Sequence, residues 1–245
     1  MKNSPSFFRL SSLLLFMLTC ISFKDPVSIL ATAFNGAWQL QGEANNEVAI
    51  FSNGYFMTTS YDKTSKKLIR TLGGTYNVNS NELHLKQEFN SEDKDQIGEP
   101  ITLGIKIEGD MLTVDYGSEQ QRWKKLDNGT GALAGVWRSG GRMQDGKVSF
   151  SPLAARKTFK ILSGSRFQWT AMNTDTKEHL GTGGGSYSFT NGKYTENIEF
   201  FSRDSSRVGM SLSFDGKVQD NNWFHSGLNS KGVQMNEIWG KVPNL

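Results

Sequence analysis

The feature that most constrains the fold is an internal repeat, in which the second half of the sequence keeps the spacing of the first half. One register relates the halves across many turns and apolar stretches, which chance similarity does not maintain. After a short insertion, Trp123 corresponds to Trp239. The sequence therefore predicts two copies of one domain, residues 34–127 and 133–245, joined by a linker at 128–132. Further correspondences are Gly36-Ala37-Trp38 with Gly135-Val136-Trp137, residues 50–56 with 161–167, Gly73-Gly74-Thr75-Tyr76 with Gly184-Gly185-Ser186-Tyr187, and Leu112 with Trp223.

Both copies carry the sequence pattern of β-strands. Apolar and polar residues alternate over residues 82–89, 101–107 and 210–214, and pairs such as Asn53-Gly54 and Asn191-Gly192 mark tight turns between such stretches. About eight short strands per copy, joined as a meander, close most naturally into a barrel, because closure removes the exposed sheet edges. The predicted fold is all-β, with two tandem small antiparallel up-and-down β-barrels.

A family resemblance supports this fold. The second copy opens on Gly-x-Trp and closes on a tryptophan strand, and with its other motifs it resembles the lipocalin-like domains of uncharacterised secreted bacterial proteins. The resemblance covers most of residues 133–242 and implies a barrel with a ligand cavity, and it carries over no enzymatic activity. The matching motifs are residues 160–163, 183–187, 194–200, 223–227 and 237–239.

The amino terminus indicates export. A basic start is followed by an apolar run at residues 10–21, which is short for a membrane span and fits a signal peptide over residues 1–33 with cleavage after Ala31-Thr32-Ala33. We therefore expect a secreted or periplasmic protein with no membrane span in the mature chain. The alternatives are a lipoprotein anchored through Cys20, whose preceding residues match lipid-attachment sites poorly, and an uncleaved anchor.

Composition excludes several functional classes. The formal charge is +3, but Lys2, Arg9 and Lys24 against Asp25 place two of these charges in the first 33 residues. The remainder carries no basic block, so nucleic acid is not an expected partner. Cys20 is the single cysteine, which excludes disulfides and thiolate metal sites from the mature chain. No nucleophile motif, metal cluster or cofactor fingerprint is present, so we predict no catalytic residue, metal or cofactor.

The two copies serve as controls for each other, because aligned positions share a strand face. Glu196 replaces Leu85 and His225 replaces Val114 on inward-facing positions, and Glu237 shares the inward face of Trp239. A buried carboxylate needs a partner, for which His225 or an arginine is the expected candidate. Glu199, three residues after Glu196, falls on the opposite, outward face.

These contrasts predict a binding site for a small hydrophobic or amphipathic ligand inside the second barrel. An insertion between Trp137 and Ile161 adds arginines in a flap expected at the barrel mouth, and the first copy, with its apolar interior, becomes a structural or partner-binding module. Three alternatives remain: a packed polar core without a ligand, an enzyme with Glu196 and His225 as acid and base, and a purely structural envelope module. The predicted ligand-binding residues are Arg156, Trp169, Glu196, Trp223, His225 and Glu237.

Overall fold

The computed structural model describes residues 32–243 and contains two closed eight-stranded antiparallel barrels in tandem. In the first barrel each strand pairs with the next along the chain, and the eighth closes on the first. The predicted all-β fold and up-and-down order are confirmed. The strands are β1 (Gly36–Leu40), β2 (Asn46–Ser52), β3 (Tyr55–Asp62), β4 (Lys67–Asn79), β5 (Glu82–Asn90), β6 (Pro100–Glu108), β7 (Met111–Tyr116) and β8 (Glu119–Asp127).

The second barrel repeats this order and accommodates the insertion outside its wall. The insertion forms the hairpin β10–β11, a separate two-stranded sheet that packs against the last strand of the barrel. A short 3-10 helix, Ser205–Arg207, precedes β16. The strands are β9 (Gly135–Arg138), β10 (Gly141–Gln144), β11 (Lys147–Phe150), β12 (Arg156–Leu162), β13 (Arg166–Asn173), β14 (Glu178–Thr190), β15 (Lys193–Phe201), β16 (Ser211–Gln219), β17 (Asn222–Leu228) and β18 (Gln234–Lys241).

The two barrels share irregularities as well as strand order. The register of the longest strand shifts at Gly73/Gly74 in β4 and at the aligned Gly184/Gly185 in β14. A Cβ atom at Gly74 would lie 2.1 Å from the carbonyl oxygen of Lys86, so only glycine allows the neighbouring strand this close. The same glycine pair therefore allows the longest strand to bend at the same point in both copies, and this bend helps the sheet to close into a barrel.

One end of each barrel is plugged by the tryptophan of the Gly-x-Trp motif. Trp38 and Trp137 are both fully buried. The indole nitrogen of Trp38 donates to the carbonyl of Phe34 at 2.9 Å, and that of Trp137 donates to the carbonyl of Leu133 at 2.8 Å. The matching hydrogen bonds and burial indicate the same structural role for both tryptophans.

The barrels pack side by side through the outer faces of their strands. Along β2, Ala49 and Phe51 point into the first barrel, whereas Val48 and Ile50 join an apolar cluster that both barrels share. Polar contacts continue the interface, since Thr59 donates to the side-chain oxygen of Gln168 at 2.8 Å. The shared cluster contains Ala37, Val48, Ile50, Met57, Tyr61, Phe89, Val136, Phe159, Ile161, Met172, Phe200 and Val242.

The end of β8 is tied to the second barrel by one carboxylate. Asp127 accepts hydrogen bonds from the hydroxyl groups of Ser163 and Ser165 at 2.8 and 2.6 Å, and from backbone nitrogens of Gly129, Gly164 and Ser165. Burial opposes ionisation of this carboxyl, but the hydrogen bonds outweigh it and lower its pKa. The linker is therefore held against the β12–β13 turn.

The predicted export signal lies almost wholly outside the described residues, as does Cys20. The signal peptide, its cleavage site and the lipid-anchor alternative stay predictions. Between residues 32 and 243, no helix is long and apolar enough to cross a membrane.

Candidate functional site

The polar residues that distinguish the second barrel form a cluster that extends from its interior to Glu237, whose side chain is 41% exposed. Glu196 on β15 and Lys160 on β12 are 8% and 4% exposed, and their charged groups lie 2.8 Å apart. The hydroxyl of Tyr194 donates to the same carboxylate oxygen at 2.9 Å. Glu196 is therefore a paired buried charge, as its position requires. We call Lys160, Tyr194, Glu196, His225 and Glu237 the second-barrel cluster.

The ammonium group of Lys160 is surrounded by aromatic rings. Its nitrogen lies 5.1 to 5.6 Å from the ring centroids of four residues, a range in which cation–π attraction stabilises a desolvated ammonium. Because Lys160 is the ion-pair partner of Glu196, the expectation that His225 or an arginine fills this role is wrong. The alignment of the two copies could have identified Lys160. It aligns with Ala49, next to the matched pair Ile50 and Ile161, and so replaces a small apolar residue with a charged one. The four rings belong to Phe167, Tyr194, Trp223 and Trp239.

His225 and Glu237 form the other half of the cluster. The Nδ1 atom of His225 lies 3.4 Å from the Oε2 atom of Glu237, which also accepts a hydrogen bond from the indole of Trp239 at 2.9 Å. Burial lowers the pKa of His225, although the hydrogen bond with Glu237 opposes this. Burial raises the pKa of Glu237, but the contact with His225, the charge of Lys160 and the indole reverse the shift and lower it.

Of the remaining predicted site residues, Trp223 packs against this cluster, whereas Trp169 and Arg156 lie away from it. Trp223 is fully buried and packs edge-on against Tyr194 at 4.9 Å. Trp169 is half-buried on β13, with the guanidinium of Arg203 5.6 Å from its ring. Arg156 is the exposed first residue of β12 and makes no contact with the cluster. The assignment of the six residues to a ligand site stays a prediction.

A ligand-sized chamber lies in the first barrel. Its volume is about 320 Å³, within the range of small-molecule pockets. The inner wall is apolar and aromatic, a belt of neutral polar groups lies above it, and charged groups stand at the rim. The inner wall includes Phe34, Phe51, Phe56, Leu83, Leu112, Val114 and Trp123, the belt includes Thr58, Gln87, Asn90 and Gln121, and the rim includes Glu47, Arg70, Glu92, Asp93 and Glu119.

Side-chain volume explains why the chamber is in the first barrel although the polar contrasts point to the second. At the position of Lys160 the first barrel has Ala49, which leaves the space of a lysine side chain unfilled. The substitutions that introduce polar groups in the second barrel are accompanied by larger rings, which fill its interior around Lys160. The fully or nearly fully buried rings there include Trp137, Phe167, Tyr194, Phe214, Trp223 and Trp239.

The rim of the chamber contains one ion pair. The Nη2 atom of Arg70 donates to both carboxylate oxygens of Glu47, at 3.1 and 3.0 Å. Burial lowers the pKa of Arg70, and the attraction of Glu47 and Glu92 reverses this and raises it. Arg70 therefore stays charged and bound to Glu47, and the ion pair leaves little net charge at its position.

Comparisons with known proteins add no further identification, since no protein-family model and no curated protein matches the sequence. Membership of the lipocalin-like family therefore stays a prediction, which rests on the sequence motifs of the second copy. Residues 32–243 contain no group of three or more His, Cys, Asp or Glu side chains placed to hold a metal ion.

Proposed function

We propose that this protein is an exported, lipocalin-like binding protein that holds a small, partly apolar ligand in the first-barrel chamber. The chamber itself carries the proposal. It combines apolar walls with a few convergent polar groups, which is the usual composition of a site that binds a small molecule. A barrel filled only for stability would place larger side chains at positions such as Ala49 and Val114, because unfilled volume in a core is destabilising.

A space-filling substitution tests this proposal. Ala49→Phe puts a ring into the chamber at the position where the second barrel has Lys160. We expect binding of the uncharged dye Nile red, followed by its fluorescence, to weaken by more than about tenfold, because the ring displaces the ligand. Ala154→Phe, the same substitution at an exposed position before β12, is the matched control and should leave binding unchanged. Wild-type protein that binds no apolar probe would contradict the proposal.

The second barrel is a second candidate site, favoured by one observation. The Nε1 atom of Trp223 and the Nε2 atom of His225 are buried without a hydrogen-bond partner, and such groups are costly unless something satisfies them. The triple substitution of Lys160→Met, Glu196→Leu and His225→Val copies the apolar character of the first barrel. Probe binding that survives Ala49→Phe and is lost in this triple variant would place the ligand in the second barrel.

Export is the remaining part of the proposal. The basic start and short apolar run support a signal peptide, and we expect the mature protein to begin at or near Phe34. Mass spectrometry of protein isolated from its native compartment checks this. A diacylated Cys20 would favour the lipoprotein, and an intact Met1 on cytosolic protein would contradict both routes.

A further inference from the structure

The loop that joins β5 to β6 at the chamber rim has a counterpart of the same backbone structure in the second barrel. Residues 91–99 and residues 202–210 begin with the same hydrogen bond, from Ser91 to the carbonyl of Thr71 and from Ser202 to the carbonyl of Thr182, at 2.9 Å in both. A glycine near the end of each loop, Gly98 and Gly209, has a φ of 94°. The fold therefore imposes the same backbone path on both loops.

The two loops differ in charge. The first carries four acidic residues and one lysine, whereas the second carries two arginines and one aspartate. Asp93 aligns with Asp204 and has the same role, since each accepts a hydrogen bond from the backbone nitrogen two residues later. Glu92, Asp95 and Glu99 have no acidic counterpart in the second loop, so the shared backbone does not require them. The charged residues are Glu92, Asp93, Lys94, Asp95 and Glu99 in the first loop and Arg203, Asp204 and Arg207 in the second.

The acidic side chains stand where a ligand enters the chamber. Glu92 and Asp93 line the chamber from the loop, and Glu119 lines it from the start of β8. Arg70 is the one cationic residue among the lining residues, and it is bound to Glu47. Four carboxylates therefore stand against one guanidinium among the lining residues, and the net charge of the rim is negative. This charge attracts a cation and repels an anion.

The second barrel shows how much interior volume an alkylammonium side chain occupies in this fold. The side chain of Lys160 carries its ammonium on an alkyl stem through the barrel interior, against four aromatic rings. The first barrel has Ala49 at the origin of that side chain and keeps two of the four rings, as Phe56 and Trp123, in the chamber wall. The volume of an alkylammonium side chain is thus free in the first barrel.

We propose that the first-barrel chamber selects amphiphilic cations, such as an alkyl or aralkyl amine or a quaternary ammonium compound. The apolar body lies against Phe56 and Trp123, and the cationic end lies at the rim beside Glu92, Asp93 and Glu119. This inference rests on the proposed function, because it names the ligand class of the same chamber.

Probes that share one chain and differ in head-group charge test the inference. Octyltrimethylammonium, octanol and octanoate, all below their micellar concentrations, displace Nile red from wild-type protein at low ionic strength. We expect the cation to bind roughly tenfold more tightly than the alcohol, and the carboxylate to bind most weakly. The preference should shrink as salt is added, since the rim is exposed to solvent.

The triple variant Glu92→Gln, Asp93→Asn and Glu119→Gln should reduce the preference for the cation to within about twofold, because the rim charge is removed. A matched control makes the same change in net charge at the opposite end of the barrel, and it should keep the preference. Equal affinity for all three probes, or tighter binding of octanoate, would overturn this inference and leave the proposed function standing. Failure of all probes, Nile red included, would instead refute the proposed function. The control substitutions are Glu82→Gln, Glu108→Gln and Asp110→Asn.

Discussion

At the scale of single residues, the buried pair of Lys160 and Glu196 is the largest departure from an apolar core. A buried ion pair adds little net stability, because desolvation of both charges offsets their attraction. Each member nevertheless depends on the other. Lys160 is also held by surrounding aromatic rings, whereas Glu196 has Tyr194 as its additional hydrogen-bond donor.

We expect single and double substitutions of this pair to differ sharply. Glu196→Leu leaves an unpaired ammonium in the barrel and should lower the free energy of unfolding by about 3–5 kcal/mol. Lys160→Met combined with Glu196→Leu removes both charges and should restore stability to within about 1 kcal/mol of wild type. Urea unfolding measures both effects.

The exposed pair Lys193 and Asp215, whose side chains are more than half exposed, is the matched control. Asp215→Asn should cost less than about 1 kcal/mol. A double variant as unstable as Glu196→Leu would show that Lys160 and Glu196 do more than satisfy one another.

At the scale of elements, alternation in the sequence is enough to locate most strands. The predicted stretch 82–89 lies within β5, and 101–107 lies within β6, because a barrel wall with one inner face enforces a period of two. The same alternation correctly turns Glu196 and His225 inward. Such predictions depend on neighbours along one strand, which the sequence displays directly.

Features that depend on several strands were not accessible in this way. The partner of Glu196 is fixed by barrel closure, which brings β12 across from β15 and places Lys160 at hydrogen-bond distance. The position of the chamber depends on the summed volume of side chains from all eight strands of each barrel. A comparison of single positions finds the polar contrasts, but it does not add up volumes, so it points to the filled barrel.

At the scale of the whole molecule, the two barrels are joined by an interface. The sequence predicts only that residues such as Glu199 face outward, and not that they contact the other barrel. Glu199 turns away from the interior of its own barrel, as predicted, but meets Tyr61 of the first barrel at 2.5 Å. Arg166 binds both oxygens of Glu199, at 2.7 and 2.9 Å. Together with the shared apolar cluster, these contacts lead us to expect that the barrels unfold in one transition.

The ionisation of Glu199 should make this interface sensitive to acid. Burial raises the pKa of Glu199, but its hydrogen bonds and ion pair with Arg166 reverse the shift, so the folded-state value is about 2 against an ordinary value of 4.5. A depressed folded-state pKa stabilises the protein above the unfolded-state pKa, and this contribution is lost as the pH falls through the folded-state pKa. Glu199 should therefore contribute about 3 kcal/mol at neutral pH, which declines between about pH 4.5 and pH 2.

Glu199→Gln tests this coupling, and the repeat supplies its control. Glu88 aligns with Glu199 and pairs across the same interface with Lys157 at 3.0 Å, but its side chain is 28% exposed against 15% for Glu199. We expect Glu199→Gln to lower the free energy of unfolding at pH 7 by about 3 kcal/mol and to flatten its decline in acid, because Arg166 loses its anionic partner. Glu88→Gln should cost about 1 kcal/mol or less. Calorimetry across the acid range measures both. An acid dependence that persists in Glu199→Gln would show that other carboxyl groups control it, and two separate wild-type transitions would show that the barrels unfold independently.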